Sequence, residues 1–312
     1  MNILAFDFGG TRTRAAWYTA ESGQHPVQHA RDEQLTLSSD AQARLIERLI
    51  ALGRRVIPDG RTPDAVGIAA PGPADNARGV IYHSYALPGW ENVPLGDMLR
   101  DAFGAPVYME NDGSMGALAE GLAGAGRDAN PMIYMTISTG IGGGVLIDKK
   151  LFTGWSGLAS EPGHIVVTAP DGTPTRLEAV ASGTALGERA RVLLATTDTP
   201  SGLRAAAFVD GAAVGAAAAH GDPLALEIVT RAGTILGYGF VSLLHLFSPE
   251  AIVLGGSAVK LGELLLAPAR AAIEQHVLDA RYLPPFLLRP AQFGEDVCLF
   301  GAALYAATIN GA

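Results

Sequence analysis

Apolar residues in this chain come in short unbroken runs and in helical spacings, and the two patterns lay out its elements. Residues 2–8 (NILAFDF) and 13–18 (TRAAWY) flank Gly9-Gly10-Thr11, which predicts a strand, a tight turn and a returning strand. Ser38 to Arg55 carries Ala43, Leu45, Ile46, Leu49, Ile50 and Leu52 at helical spacing. Residues 65–70 and 79–83 read as strands, Pro94 to Phe103 as a short helix, and Val107-Tyr108-Met109 as a buried strand feeding an alanine-rich helix that runs to about Leu122. Residues 132–137 form another strand, Ser138 to Gly144 a polar glycine turn, and Val145-Leu146-Ile147 the strand that returns. Helices then dominate, over 181–195, 209–219 and 223–246. The strand Ala251-Ile252-Val253-Leu254 ends in Gly255-Gly256, and the small-residue helix 301–307 is expected to pack closely on another element.

Length and composition narrow the class. At 312 residues, with 48% hydrophobic and 17% charged residues, the chain suits a globular protein of two domains or one large one. A net charge of −9 argues against broad contact with nucleic acid or an anionic membrane. The single cysteine, Cys298, excludes an intrachain disulfide framework and reads as a buried small hydrophobe. No signal peptide is visible, and the charge-free window 232–249 reads as a core helix, so a cytoplasmic location is expected.

Candidate chemistry gathers where strands end. Glu110-Asn111-Asp112 stands at a strand-to-helix junction, where ligands bind in open α/β folds but where Asn and Asp also serve as helix caps. Asp7 just ahead of Gly9-Gly10-Thr11 suits a nucleotide phosphate with Mg²⁺; the bland alternative is an ordinary glycine hairpin. The strand–glycine turn–strand unit at 132–147 echoes the one at 2–18, as two related halves would. Gly255-Gly256 admits either a ribose close to the backbone or simply tight strand-to-helix packing. Neither a Walker-type phosphate loop nor a complete dinucleotide fingerprint, nucleophile elbow or metalloprotease motif is present.

Taken together, Asp7-Phe8-Gly9-Gly10-Thr11, Ala70-Pro71-Gly72-Pro73, Leu87-Pro88-Gly89-Trp90, Glu110-Asn111-Asp112, residues 138–144, Glu161-Pro162-Gly163-His164, residues 177–183 and Ile252-Val253-Leu254-Gly255-Gly256 resemble the ROK family of sugar kinases and repressors, in order and nearly end to end. The resemblance implies an α/β fold of two actin-like (ribonuclease H-like) domains around a central cleft, 1–115 with 297–312 and 116–296. It implies ATP at Asp7, Gly9, Gly10, Thr11, Thr139, Gly140, Gly255 and Gly256, with Mg²⁺ brought by ATP and held near Asp7. A sugar would meet Gly72, Asn111, Asp112, Glu161, His164 and Glu178, with Asp112 as the catalytic base. A homodimer or homotetramer is expected, with neither nucleic acid nor membrane as partner.

Two departures stand out. Many family members carry a cysteine-built zinc loop after the Glu-x-Gly-His motif, but residues 165–176 here contain no cysteine, so no structural zinc is expected. Ala86 stands where the family's sugar kinases commonly place a sugar-contacting Asn; His83, Ser84 and Tyr85 are the candidates to compensate. The implied activity is phosphoryl transfer from ATP to a hexose or N-acylhexosamine. The alternative is a sugar-sensing regulator without a DNA-binding domain, since Asp7 leaves no room for one ahead of it.

Overall fold

Strand β1 (Asn2–Phe8) alternates its side chains between two apolar layers, and the first half of the fold follows from that alternation. Leu4, Phe6 and Phe8 pack with Leu45, Leu49 and Leu52 of α1 (Gln42–Val56) and with Leu95 and Leu99 of α2 (Leu95–Phe103). Ile3 and Ala5 pack on the other face with Met115 and Leu118 of α3 (Asp112–Leu122) and with Leu299, Ala302 and Ala306 of the final helix, α9 (Val297–Ile309). By the same period Asp7 belongs to the face that carries α3 and α9.

The computed structural model describes residues 1–84, 86–169 and 171–310. The chain forms two compact units, Met1–Arg127 with Lys150–Ser160 and Gln292–Ala312, and Asp128–Lys149 with Glu161–Ala291. The sequence reading set its boundaries after residues 115 and 296; in the structure the whole of α3 lies in unit 1.

Unit 1 is built on a five-stranded sheet in the order β3-β2-β1-β4-β8, where β2 is Arg12–Thr19, β3 Val27–Leu35, β4 Ala65–Ala70 and β8 Val107–Asn111. β1 and β2 are antiparallel, β1, β4 and β8 parallel. A small sheet of β5 (Ala74–Asp75), β6 (Val80–His83) and β7 (Glu91–Val93) precedes α2, and β11 (Lys150–Leu151) also belongs to this unit. β3 was invisible to pattern reading because its sequence, VQHARDEQL, buries none of its residues. It is an edge strand, where charged side chains are favoured because they discourage further pairing.

Small residues let α9 approach β4, as expected of the run at 301–307. A Cβ on Gly67 would come within 2.1 Å of the Ala302 carbonyl oxygen. Glu120, fully buried in α3, ties this layer to the loops around it. Its Oε2 accepts from the Ala125 N–H at 2.9 Å, and its Oε1 from Gln292 and Phe293 N–H at 2.8 and 2.9 Å. A buried polar group is costly unless its hydrogen bonds are made, and here they are.

Unit 2 repeats the plan. Its sheet runs β10-β9-β14-β15, with β9 (Met132–Ile137) and β10 (Ile141–Ile147) an antiparallel hairpin and β9, β14 (Ala251–Gly255) and β15 (Leu288–Pro290) parallel. The turn between β9 and β10 is shorter than the glycine pattern predicted, because β10 already begins at Ile141. Gly143 lies inside the strand, where a Cβ would fall 2.4 Å from the Tyr134 carbonyl oxygen and 2.7 Å from Pro162. A second hairpin, β12 (Val166–Thr168) and β13 (Pro174–Arg176), leads into α4 (Glu178–Ala181), α5 (Gly183–Thr196), α6 (Gly211–Ala219) and α7 (Pro223–Phe247), with α8 (Glu263–His276) following β14. The apolar stretch of α7 is a core helix, 67% buried in its most hydrophobic window. Each unit thus has an antiparallel glycine hairpin whose first strand continues into parallel neighbours, the actin-like (ribonuclease H-like) arrangement.

Candidate active site

In unit 1 the parallel register sets the expected residues along one edge of the sheet. Asp7 pairs with Ala69, and Ala70 pairs with Asn111, so β1, β4 and β8 end together. The Gly9–Thr11 turn, Gly72 and Asp112 all follow those ends, at the carboxyl edge where open α/β sheets bind ligands. The turn is closed by Gly9 N–H to the Arg12 carbonyl (3.1 Å) and braced by Thr36, whose Oγ1 donates to the Gly9 carbonyl at 2.6 Å. Gly10 is required by packing: a Cβ there would lie 2.7 Å from the Ala86 Cβ.

Asp7 is buried and pairs through Oδ2 with Arg14 Nη1 at 2.8 Å. Burial pushes its carboxyl up to about 6, against the pull of the Arg14 guanidinium and with a further push from Asp112. Asp7 Oδ1 has no hydrogen-bond partner among the described residues, which fits an acceptor for a water bound to Mg²⁺.

The helix-cap reading of the triplet falls on Asn111, and Asp112 stands beside it at the start of the helix. Asn111 caps α3, its Oδ1 accepting from Ser114 N–H at 2.6 Å. Asp112 accepts from Gly113 N–H at 2.8 Å through Oδ1, and its Oδ2 has no hydrogen-bond partner among the described residues. Asp112 is open to solvent on one side, yet the protein around it withdraws enough water to raise its carboxyl above the ordinary 3.8 despite that N–H. Glu110 is buried behind them, accepting through Oε1 from the Asn76 amide and from Asn111 N–H.

Glu110 gives unit 1 a pH dependence with a definite sign. Burial pushes its carboxyl from 4.5 up to about 7, so the folded chain keeps a proton that the unfolded chain releases. Its contribution is therefore fully present below pH 4.5 and lost as pH rises toward 7, in all on the order of 3 kcal/mol. Glu110→Gln is expected to flatten the fall in denaturant midpoint across that window; an unchanged slope would show that Glu110 titrates normally.

Of the three candidates to replace the missing Asn at position 86, two lie among the described residues. Ser84 is buried and its Oγ accepts from the Ala86 N–H at 3.2 Å. His83 is exposed, and Tyr85 lies outside the described residues. Cys298 is only partly buried, at the start of α9, where its Sγ donates to the Asp112 carbonyl at 3.3 Å.

In unit 2 the second turn is held by residues that the sequence reading kept apart. Gly183 N–H donates to the Ser138 carbonyl at 2.6 Å, Thr184 N–H to the Thr139 carbonyl at 3.3 Å, and Ile141 N–H to Glu178 Oε2 at 2.9 Å. Glu178, expected at the sugar, thus also holds the turn that contains Gly140, and a Cβ on Gly140 would fall 2.5 Å from its Oε2. Gly256 adopts φ +91° with its Cβ position 2.3 Å from the Ile137 carbonyl oxygen, so tight packing alone demands glycine there. Glu161 and His164 are half-exposed, with His164 Nδ1 3.8 Å from Glu161 Oε2 and Nε2 3.5 Å from Arg176 Nη1. Among the described residues no group of three or more His, Cys, Asp or Glu could hold a metal ion.

Known proteins carry the same architecture. The chain is 32% identical to a glucokinase of Thermotoga maritima over 97% of its own length and 96% of the relative's. It is 31% identical to an N-acetylmannosamine kinase of Yersinia pseudotuberculosis over 98% of each chain. The crystal structure of a ROK family glucokinase from Streptomyces griseus, in complex with glucose and AMPPNP, superposes with a TM-score of 0.81 at 29% identity, covering 99% of this chain and 100% of that one. The sequence profile described as "ROK family" matches residues 3–309, so the chain belongs to the ROK family.

Proposed function

We propose that this protein is an ATP-dependent sugar kinase, transferring the γ-phosphoryl group of ATP to a hydroxyl of a hexose or N-acylhexosamine with Asp112 as base. The observation that carries this reading is the position of Asp112, at the carboxyl edge of the unit 1 sheet beside the end of β1 with its phosphate-type hairpin, with its carboxyl raised. A carboxylate lifted toward neutral pH is a better proton acceptor than an ordinary aspartate. A sugar hydroxyl loses its proton to Asp112 as its oxygen bonds to phosphorus and the bond to the departing ADP oxygen breaks. The proton then passes to solvent.

The backbone N–H groups of the Gly9–Thr11 and Ser138–Gly140 turns would hold phosphate oxygens, and Gly255-Gly256 would lie along the adenosine. Asp7 would hold Mg²⁺ through water, and the metal, when bound, neutralises phosphate charge. Asn111, Glu161, His164 and Glu178, with the backbone at Gly72, would orient the sugar, since amides and carboxylates match an array of hydroxyls. An enzyme of this kind works in the cytoplasm, where ATP is held. Glucokinase and N-acetylmannosamine kinase relatives at nearly equal identity leave the sugar as the open choice.

A coupled ADP-release screen over hexoses, hexosamines and their N-acyl forms tests the reaction. Sugar-dependent ADP release is expected for at least one of them. Clear sugar binding by calorimetry with no turnover anywhere in the panel would overturn the kinase in favour of a sugar-sensing regulator.

A further inference from the structure

We propose that Arg176 is a positioning residue for the sugar site: by donating to His164 Nε2 it fixes the imidazole in the tautomer that presents Nδ1–H beside the Glu161 carboxylate, making the pair a receptor for one sugar hydroxyl. The inference rests on the sugar-kinase reading for its substrate.

The hairpin that carries Arg176 is closed by hydrogen bonds of its own turn. Asp171 Oδ1 accepts from Thr173 N–H at 3.0 Å and from Thr173 Oγ1 at 2.6 Å, Gly172 takes φ +87°, and Ala169 N–H donates to the Thr173 carbonyl at 2.8 Å. Below the turn, Val166 pairs with Arg176 and Leu177 N–H donates to the Ile165 carbonyl at 2.9 Å. The backbone at Arg176 is therefore fixed next to the segment that follows His164. Arg176 is the one basic residue between Ile165 and Leu177, and its Nη1 lies 3.5 Å from His164 Nε2.

The chemistry of the two groups sets the tautomer. A guanidinium only donates, so Nε2 must be the accepting nitrogen and the ring proton must sit on Nδ1. That Nδ1–H faces Glu161 Oε2 across 3.8 Å, too far for a hydrogen bond. A hydroxyl both accepts and donates, so a single sugar hydroxyl satisfies both sides, accepting from Nδ1–H and donating to the carboxylate. In the other tautomer a lone pair on Nδ1 would face a carboxylate and neither could donate to the sugar.

The test joins a spectroscopic signature to kinetics. With ¹⁵N-histidine labelling, the ligand-free protein and Arg176→Lys are expected to show the His164 ring as Nδ1–H, and Arg176→Ala to shift it toward Nε2–H. Taking D-glucose, or the N-acylhexosamine that the screen favours, Arg176→Ala is expected to raise the sugar KM about tenfold, the worth of one hydrogen bond, with the ATP KM unchanged. Arg176→Lys should restore most of it, and against the deoxy analogue lacking the bridging hydroxyl the Ala variant should lose nothing further. The same tautomer in Arg176→Ala, or an unchanged sugar KM in an active enzyme, overturns the proposal. If the wild type turns over no sugar at all, the kinase reading fails, while the ring tautomer still decides the role of Arg176. Both side chains are exposed, so thermal midpoints should be equal across the three proteins.

Discussion

Replacing Asp112 by asparagine is expected to lower kcat by about 10²- to 10⁴-fold, the usual worth of a positioned general base, with little change in the KM for either substrate. The substitution isolates the proton-accepting role because the local structure tolerates it. Asn111, not Asp112, caps α3, and an asparagine at 112 can still accept the Gly113 N–H through its carbonyl. On the proposed kinase reading, what is lost is the acceptor of the sugar proton. The wild-type kcat/KM should fall on the acid side with a midpoint above the ordinary aspartate value of 3.8, since the surrounding protein raises this carboxyl. That limb should disappear from the residual activity of the variant. Stability should move the other way, because Asp112 adds to the upward push on buried Asp7 and its neutral replacement relieves both. A higher thermal midpoint together with a collapsed kcat separates a missing base from a damaged fold. A variant within about threefold of wild type would remove Asp112 from the chemistry.

Which parts of this protein could be read from the chain depends on whether the physics is local. The glycine hairpins, the strand that ends at Asn111 and the long core helix are all written as apolar runs and helical spacings, and they stand where those patterns put them. β3 escaped because an edge strand with polar side chains has no apolar alternation to detect. β15 escaped because it is three residues long and ends in Pro290. The candidate residues of unit 1 were legible as chemistry at strand ends, and the parallel register gathers them at one edge. Contacts made at long sequence distance were not legible. Glu120 looked like one more polar residue on a helix until the N–H groups of Gln292 and Phe293 were found on its carboxylate. Likewise Glu178 was assigned to sugar alone, whereas its Oε2 also supports the turn after Gly140. The absence of cysteine between residues 165 and 176 was visible at once, whereas the placing of Arg176 beside His164 required the hairpin register.

Gly301→Ala is expected to destabilise unit 1 by about 2 kcal/mol or more and to lower kcat along with it. Two effects compete. Alanine is the better helix former by about 1 kcal/mol, and Gly301 lies inside α9, so propensity alone predicts a gain. Packing predicts a loss: a Cβ at Gly301 would fall 2.0 Å from the Met115 carbonyl oxygen and 2.6 Å from its carbon. Those atoms are helix backbone, so no flexible side chain can turn aside and one helix must move. The two helices share a buried layer of Ala302, Ala303, Leu299 and Met115 that has no slack to absorb the shift. Overpacking of this kind commonly costs about 1–3 kcal/mol, and here the obstacle is rigid, so the loss outweighs the gain. The consequence for function follows from the chain itself, because Met115 sits on the first turn of the helix that begins at Asp112. A displacement near 1 Å at a reacting group costs up to about 100-fold in rate, whereas substrate binding elsewhere is untouched. The expected result is a lower thermal midpoint, and a kcat that stays reduced when assayed well below that midpoint, with sugar and ATP KM close to wild type. If Gly301→Ala keeps both its midpoint and its kcat, α9 and α3 are not in the close contact that places Asp112.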